Sequence, residues 1–204
     1  MHDLVIDLPE PPRRSNGVPR PSDPARLDAL CAATDARIGA GRAGSRPTTA
    51  AALRLQADHA AAQDSVLRDV SPELLDQLDL FSVDTEVAGD RAEYLLRPDL
   101  GRLLRPEAKR QIRETCLHGP DLQIVAGDGL SAAAVEDNLP LLLGAITREA
   151  EAAGLSVGTP FFVRHARVGI MNEIGALLDP RVVILLVGER PGLGHSNSLS
   201  AYLA

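Results

Sequence analysis

Two glycine-rich segments hold the residues whose types and spacing suggest chemistry. GDGLSA (127–132) contains Asp128, and GERPGLG (188–194) contains Glu189 and Arg190. Each segment follows an apolar run, and glycine lets backbone amides meet a ligand without an intervening side chain. Phosphate or dinucleotide binding is one interpretation, although neither segment spells GxGxxG or a P-loop with its lysine. The other interpretation is that the glycines only form tight turns.

The two acids in these segments have more than one possible role. Glu189 stands at the tip of an apolar run, where a carboxylate is costly unless a partner satisfies it. The local sequence fits an external ligand and an internal pair with Arg190 equally well. Asp128 is placed to act as a base, but an acid in a turn before a helix is more often a helix cap.

Recognised catalytic and metal-binding patterns are missing from the sequence. Ser131 and Ser200 lack a GxSxG context, and no HExxH or paired-carboxylate motif occurs. Cys31 and Cys116 lie far apart, without CxxC or a histidine at ligand spacing, so neither a zinc site nor a disulfide framework is expected. From spacing alone, the chain is a domain that contacts a ligand or a partner, with no catalytic or metal-ligating residue of its own.

The elements that position these segments predict an α/β fold. Continuous Val, Ile and Leu residues within 121–132 and 181–194 indicate strands covered on both faces, which are typical of a Rossmann-like parallel sheet with flanking helices. Ligands of such sheets bind at the carboxyl ends of the strands, where both glycine segments fall. Periodicity and capping signals predict helices at 47–69, at 71–78, from Pro106 to Gly119, at 131–146 with a kink or split at Pro140, and at 170–178.

Three regions are expected along the chain. Residues 1–26 are rich in proline and charge and are predicted to form a mobile leader. Residues 27–80 form a helical N-terminal region, and residues 81–204 form the α/β domain. Within that domain, 81–88 and 92–96 are predicted to be two short strands of a hairpin that turns at Gly89 and Asp90.

The amino-acid composition and net charge argue against some classes of function. The chain has 204 residues, is 45% apolar and carries a net charge of -7. An acidic balance with five aromatic residues argues against nucleic-acid binding as the main task. No apolar run approaches the roughly 18 to 20 residues that cross a bilayer, and the first residues lack a secretion signal. We therefore expect a cytoplasmic protein.

Six ordered blocks of the sequence resemble the small (light) subunit family of ethanolamine ammonia-lyase, from about Arg37 to the last residue. The blocks are GRAGSRPTT (41–49), LQADHAAAQDSVLRDV (55–70), RPDLGRLL (97–104), DLQIVAGDGLSA (121–132), GTPFFVRHARVGIMNEIG (158–175) and VVILLVGERPGLGHSNSLSAY (182–202). Several blocks are long and unusual, so a chance match of one motif would not preserve their order.

The resemblance implies a bacterial, adenosylcobalamin-dependent radical lyase that converts ethanolamine to acetaldehyde and ammonia. It implies that the catalytic chemistry belongs to a large barrel subunit, and that the small subunit closes over the cobalamin in a hetero-oligomer and is inactive alone. The family's small-subunit cobalamin contacts carry over onto Val168 and Glu189. No DxHxxG sequence occurs, so the resemblance implies base-on binding.

Two departures from the family qualify this expectation. Relatives continue for some dozens of residues beyond SAYLA, through a segment that supplies another cobalamin contact, so the sequence suggests a C-terminally shortened chain. Relatives in ethanolamine-utilisation microcompartments begin with an amphipathic helix, whereas this start is rich in proline, which favours the free cytoplasm. Two other functions stay open: a degenerate subunit that only scaffolds the large subunit, and a free-standing nucleotide-binding protein.

Overall fold

A computed structural model describes residues 17–18, 20–34, 36–193 and 195–204 of the chain. They form a mixed α/β structure with one mostly parallel sheet, as the sequence predicts. The described residues divide into two compact units, with the boundary between residues 57 and 58. Within the described ranges, no helix has the length and apolar character needed to cross a membrane.

The first unit contains helix α1 (Pro24–Ala32), which overlaps the end of the predicted leader. The Asp23 carboxylate caps this helix by accepting from the Arg26 amide at 3.0 Å, so residues 24–26 are helical; residues 1–16 and 19 of that leader lie outside the described part of the chain. A small antiparallel hairpin follows, with strands β1 (Arg42–Ala43) and β2 (Arg46–Pro47).

The five helices predicted from the sequence are present, and residues 91–96, which include the strand predicted at 92–96, form a further helix. After α1, the helices are α2 (Thr49–Leu67), α3 (Pro72–Gln77), α4 (Arg91–Leu96), a 3-10 turn (Leu100–Arg102), α5 (Pro106–Thr115), α6 (Ala132–Ala152) and α7 (Ile170–Leu178). Ser71 caps α3 and Ser131 caps α6, each by accepting a backbone N–H three residues on. Helix α6 contains Pro140 and is a single element, so a split at this proline does not occur.

The main sheet has five strands in the order β3-β5-β4-β6-β7. The strands are β3 (Phe81–Asp84), β4 (Leu122–Gly127), β5 (Phe161–Arg164), β6 (Val182–Gly188) and β7 (Leu199–Leu203). The first four are parallel, and β7 runs antiparallel to β6. The predicted parallel strands β4 and β6 are confirmed as neighbours in the sheet.

Both faces of the sheet are covered, which explains the continuous apolar runs. Alternate residues of β4, β5 and β6 enter two cores, because successive side chains point to opposite faces. On one face, Val125 and Leu185 pack with Ile174 and other residues from α5 and α7. On the other face, Ile124 and Leu186 pack against α6 and α3. The sheet is therefore the rigid centre that positions the loops at its carboxyl edge.

The hairpin predicted for 81–96 is wrong in its second half. Residues 81–84 do form strand β3, but it pairs in parallel with β5, and 91–96 form helix α4. Asp90 is the reason, because its carboxylate caps the helix by accepting from the Ala92 and Glu93 amides at 2.9 and 3.3 Å. Strands β5 and β7 are additions that the sequence patterns did not predict.

Candidate functional site

The parallel strands end at one edge of the sheet and bring four residues there. Thr85 follows β3, Asp128 follows β4, His165 follows β5 and Glu189 follows β6. Because the carboxyl ends of parallel strands lie together, these residues come from segments far apart in the sequence. This carboxyl edge contains both glycine-rich segments and both residues predicted to contact a cofactor.

The two glycine segments pack backbone against backbone. Gly129 has a φ of +53°, and a Cβ at this position would lie 2.2 Å from the Gly188 carbonyl oxygen. A Cβ on Gly188 would lie 2.3 Å from the Ser131 oxygen. The Leu130 amide also donates to the Gly188 carbonyl at 2.8 Å. These glycines thus allow a close approach between two loops, so their presence does not require a bound phosphate.

Asp128 is the most buried acid of this edge, with 2% of its surface exposed. Its carboxylate accepts from the His165 and Ala166 amides at 2.9 and 3.0 Å. The helix-cap role expected for an acid in this turn belongs to Ser131 instead, and Asp128 binds a different loop. Burial raises the pKa of the Asp128 carboxyl, while Arg91 and the two amides act in the opposite direction.

Arg91 supplies the positive charge beside Asp128. Its Nη2 atom lies 3.1 Å from Asp128 Oδ2, and its Nε atom lies 3.2 Å from Asp69 Oδ1. The guanidinium also donates to the Arg68 and Gly129 carbonyls at 3.1 and 3.0 Å. Arg91 therefore joins helix α4 to the GDGLSA segment in a buried, charge-paired contact.

Tyr94 fills the space beneath this ion pair. The ring is fully buried, and its hydroxyl donates to the Ala166 carbonyl at 2.8 Å. The guanidinium carbons of Arg91 and Arg167 lie 5.3 and 4.1 Å from the ring centroid, and the His165 ring stacks on it at 5.4 Å. Burial raises the pKa of Tyr94 well above its ordinary value, so it acts here as a hydrogen-bond donor.

Three side chains of this cluster have the composition of a metal site. Asp69, Asp128 and His165 each place one ligand atom within 4.8 Å of the others. The Arg91 guanidinium already forms ion pairs with both carboxylates, at 3.2 Å from Asp69 and 3.1 Å from Asp128. Because Arg91 pairs with both acids, the contacts favour an internal ion-pair network over a metal centre.

Val168 lies in the loop between β5 and α7 and keeps 39% of its surface exposed. Its carbonyl accepts from the Met171 amide at 3.2 Å, which places it in the turn that begins α7. The preceding Arg167 amide donates to Gly101 at 2.8 Å. A well-bonded backbone therefore carries an exposed apolar side chain at Val168.

Glu189 is half-buried and has a partner that the sequence did not suggest. Its Oε1 atom accepts from the Tyr202 hydroxyl at 2.7 Å, and its amide donates to the Ser198 carbonyl at 2.9 Å. Tyr202 comes from strand β7, and this bond raises the pKa of its hydroxyl. Tyr202, and not Arg190, is therefore the internal partner of Glu189, and the interpretation that Glu189 also meets an external ligand stays a prediction.

The structure places Val168 and Glu189 on the same edge of the sheet but after different strands. Strand β4 lies between β5 and β6, so the GDGLSA segment that follows β4 comes between the two loops. Asp128 reaches the β5 loop, and Gly129 reaches the β6 loop. The GDGLSA segment therefore contacts both of the loops that carry the predicted contact residues.

A comparison with known protein families shows to which family the chain belongs. A family model described as the ethanolamine ammonia-lyase light chain (EutC) matches residues 24–204. The chain belongs to this family. The match begins earlier than the resemblance visible from Arg37 and includes helix α1. Membership of the ethanolamine ammonia-lyase light-chain family implies a lyase complex with a large subunit as partner.

Sequence reasoning did not single out Arg91, Tyr94 or Asp69. The available signal was the spacing of Arg91 and Tyr94, because residues three apart lie on the same side of a helix. That signal was lost when the segment was assigned to a strand. The partners of these side chains lie in distant segments, so their roles in the light-chain fold became visible only in three dimensions.

Proposed function

We propose that the chain is the small subunit that closes over adenosylcobalamin at its boundary with the large barrel subunit of ethanolamine ammonia-lyase. The complex converts ethanolamine to acetaldehyde and ammonia in ethanolamine catabolism. The observation that supports this role is the position of Val168 and Glu189 on the carboxyl edge of the sheet, together with the family match. The proposed location is the bacterial cytoplasm, with the ethanolamine-utilisation microcompartment as the alternative known in the family.

The residues of this edge fit a corrin ring. Val168 offers an exposed apolar side chain to the ring. A carboxylate has about four acceptor positions, and the Tyr202 hydroxyl uses one on Glu189. The remaining positions suit the amide side chains that fringe a corrin, since these groups donate hydrogen bonds. The chain offers no DxHxxG histidine to cobalt, in keeping with base-on binding.

The exposure of its side chains indicates which part of the reaction this subunit performs. When bound, adenosylcobalamin supplies the radical chemistry of the reaction. Asp128 and Tyr94 are buried and held in internal hydrogen bonds, so neither is placed to exchange a proton with a substrate. Val168 covers the cofactor with apolar surface and excludes water, and Glu189 accepts hydrogen bonds that fix the orientation of the ring. The small subunit binds and shields, and we assign it no catalytic residue.

The proposal is tested by the cobalamin affinity of the large subunit measured with and without this chain. We expect the chain to tighten binding. Glu189→Ala in the complex should weaken it about tenfold, because a charged acceptor of hydrogen bonds is lost. Equal affinity with and without the chain would contradict the proposal and would favour the role of a structural scaffold.

Tyr202→Phe is the matched control for Glu189. It removes the same internal hydrogen bond and leaves the carboxylate in place. If Glu189 contacts the corrin, only Glu189→Ala weakens cobalamin binding. If the carboxylate serves only to bond β7, the two variants behave alike.

A further inference from the structure

The segment 165–168 has a conformation that its own sequence does not explain. His165 has a φ of +56°, in the left-handed region that residues other than glycine seldom adopt. Val168 follows three residues later and has an exposed side chain. A contact from another part of the chain must therefore stabilise this turn.

Asp128 provides that contact with both of its oxygens. Oδ2 accepts from the His165 amide at 2.9 Å, and Oδ1 accepts from the Ala166 amide at 3.0 Å. Hydrogen bonds to an ionised acceptor are stronger than those between neutral groups. Because two consecutive amides are bound by one buried carboxylate, the direction in which the backbone leaves β5 is determined by Asp128.

Two neighbours support the same geometry. Arg91 Nη2 lies 3.1 Å from Asp128 Oδ2 and balances its charge. The Tyr94 hydroxyl donates to the Ala166 carbonyl at 2.8 Å. Ala166, two residues before Val168, is therefore bonded through both its amide and its carbonyl.

We propose that Asp128 is a positioning residue that holds the 165–168 turn in the conformation that presents Val168 to cobalamin. The inference rests on the proposed function of this edge. Asp128 is too buried to touch the cofactor and acts through the backbone that it binds. The role requires two acceptor oxygens and a negative charge, so asparagine satisfies it only in part.

The test uses Asp128→Asn in the complex with the large subunit. We measure the dissociation constant for adenosylcobalamin, the KM for ethanolamine, and kcat at saturating cobalamin. The variant should bind cobalamin about tenfold more weakly. The KM for ethanolamine and the saturated kcat should stay unchanged, because the proposal places the substrate groups on the large subunit.

Asp121→Asn is the matched control at the opposite edge of the sheet. Asp121 directly precedes β4, and its carboxylate accepts from the Ser156 amide and from Arg181 at 2.9 and 3.0 Å. The two acids thus have the same kinds of partner, an amide and an arginine, at opposite ends of one strand. Asp121→Asn should leave cobalamin affinity unchanged.

Tyr94→Phe tests the same role if Asp128→Asn fails to assemble. It keeps the ring in contact with Arg91 and Arg167 and removes only the donor to Ala166. We expect about threefold weaker cobalamin binding and faster amide exchange at 165–168. Unchanged affinity in this variant would contradict the proposal.

The results of these variants distinguish a failure of the Asp128 positioning role from a failure of the proposed cobalamin contact. Weaker binding with Asp128→Asn and not with Asp121→Asn supports the positioning role. Equal effects of the two variants, or none, overturn it. Val168→Asp tests the cofactor contact itself. If this variant leaves cobalamin affinity unchanged, the proposed contact at Val168 is wrong. If Val168→Asp weakens cobalamin binding and Asp128→Asn does not, only the role of Asp128 is wrong.

Discussion

The Arg91 guanidinium and the Asp128 carboxylate form a buried ion pair, with Nη2 and Oδ2 3.1 Å apart. Only 5% of Arg91 and 2% of Asp128 are exposed. Both groups also hydrogen-bond to backbone atoms, so the pair joins α4, the GDGLSA segment and the loop after β5. The candidate edge is therefore held by an electrostatic contact inside the fold.

Arg91→Met should lower the free energy of unfolding by about 3 to 5 kcal/mol, because it leaves the Asp128 carboxylate buried without its counter-charge. Urea unfolding followed by circular dichroism measures this change. Arg97→Met is the control, since Arg97 forms an exposed ion pair with Asp99, and it should change stability little. Equal effects of the two substitutions would refute a structural role for the buried pair.

Gly188→Ala should destabilise the chain by about 1 to 3 kcal/mol through overpacking. The added Cβ would meet the Ser131 and Asp128 carbonyl oxygens at 2.3 and 2.6 Å. Gly175→Ala in helix α7 meets nothing within 4 Å and should be neutral or stabilising, because alanine favours a helix. The urea midpoint should fall for Gly188→Ala and should not fall for Gly175→Ala, and a neutral Gly188→Ala would contradict the close packing of the loops.

The Cys116 thiol should react slowly with iodoacetamide in the folded chain. Burial raises its pKa to about 11, so only about a thousandth is thiolate at pH 8. Peptide mass spectrometry measures the rate of labelling, and the same residue in urea is the control. Fast labelling of Cys116 under native conditions would show that the thiol is more accessible than its packing indicates.

Asp121 should contribute to the loss of stability in acid. Its hydrogen bonds from Ser156, followed by that from Arg181, lower its pKa to about 2 from an ordinary value of 3.8. The unfolded chain therefore binds more protons between these values, and stability falls as the pH drops through them. Thermal unfolding should show Asp121→Asn to be less stable than the parent near pH 5. The difference should shrink toward about pH 2, and a constant difference would contradict the assigned pKa.

Local sequence patterns predicted the elements whose signals are long or strongly capped. The apolar runs at 122–127 and 182–187 gave the two central parallel strands, and Ser71 and Ser131 marked the starts of α3 and α6. In these segments, the local signal and the tertiary environment agree. The family resemblance also depended on residues that can be read directly from the sequence, and the family match confirms it.

The errors arose where a distant contact decides the structure. Residues 92–96 alternate too briefly to separate strand from helix, and the burial of Tyr94 against the Ala166 carbonyl supports the helix. Asp128 has the local sequence of a cap, but its acceptors are used by amides 37 and 38 residues further on. The partner of Glu189 is Tyr202 in a strand that was not predicted. Such side-chain pairings depend on the order of the strands in the sheet, which hydrophobic periodicity along the sequence does not reveal.

The central claim is that the carboxyl edge of the sheet faces cobalamin. The most direct measurement is a structure of the complex between this chain, the large subunit and adenosylcobalamin. We predict that the corrin lies against the Val168 side chain and that one of its amides lies about 3 Å from the Glu189 carboxylate. A corrin located away from both residues, whether enclosed by the large subunit alone or near the amino ends of the strands, would contradict the account.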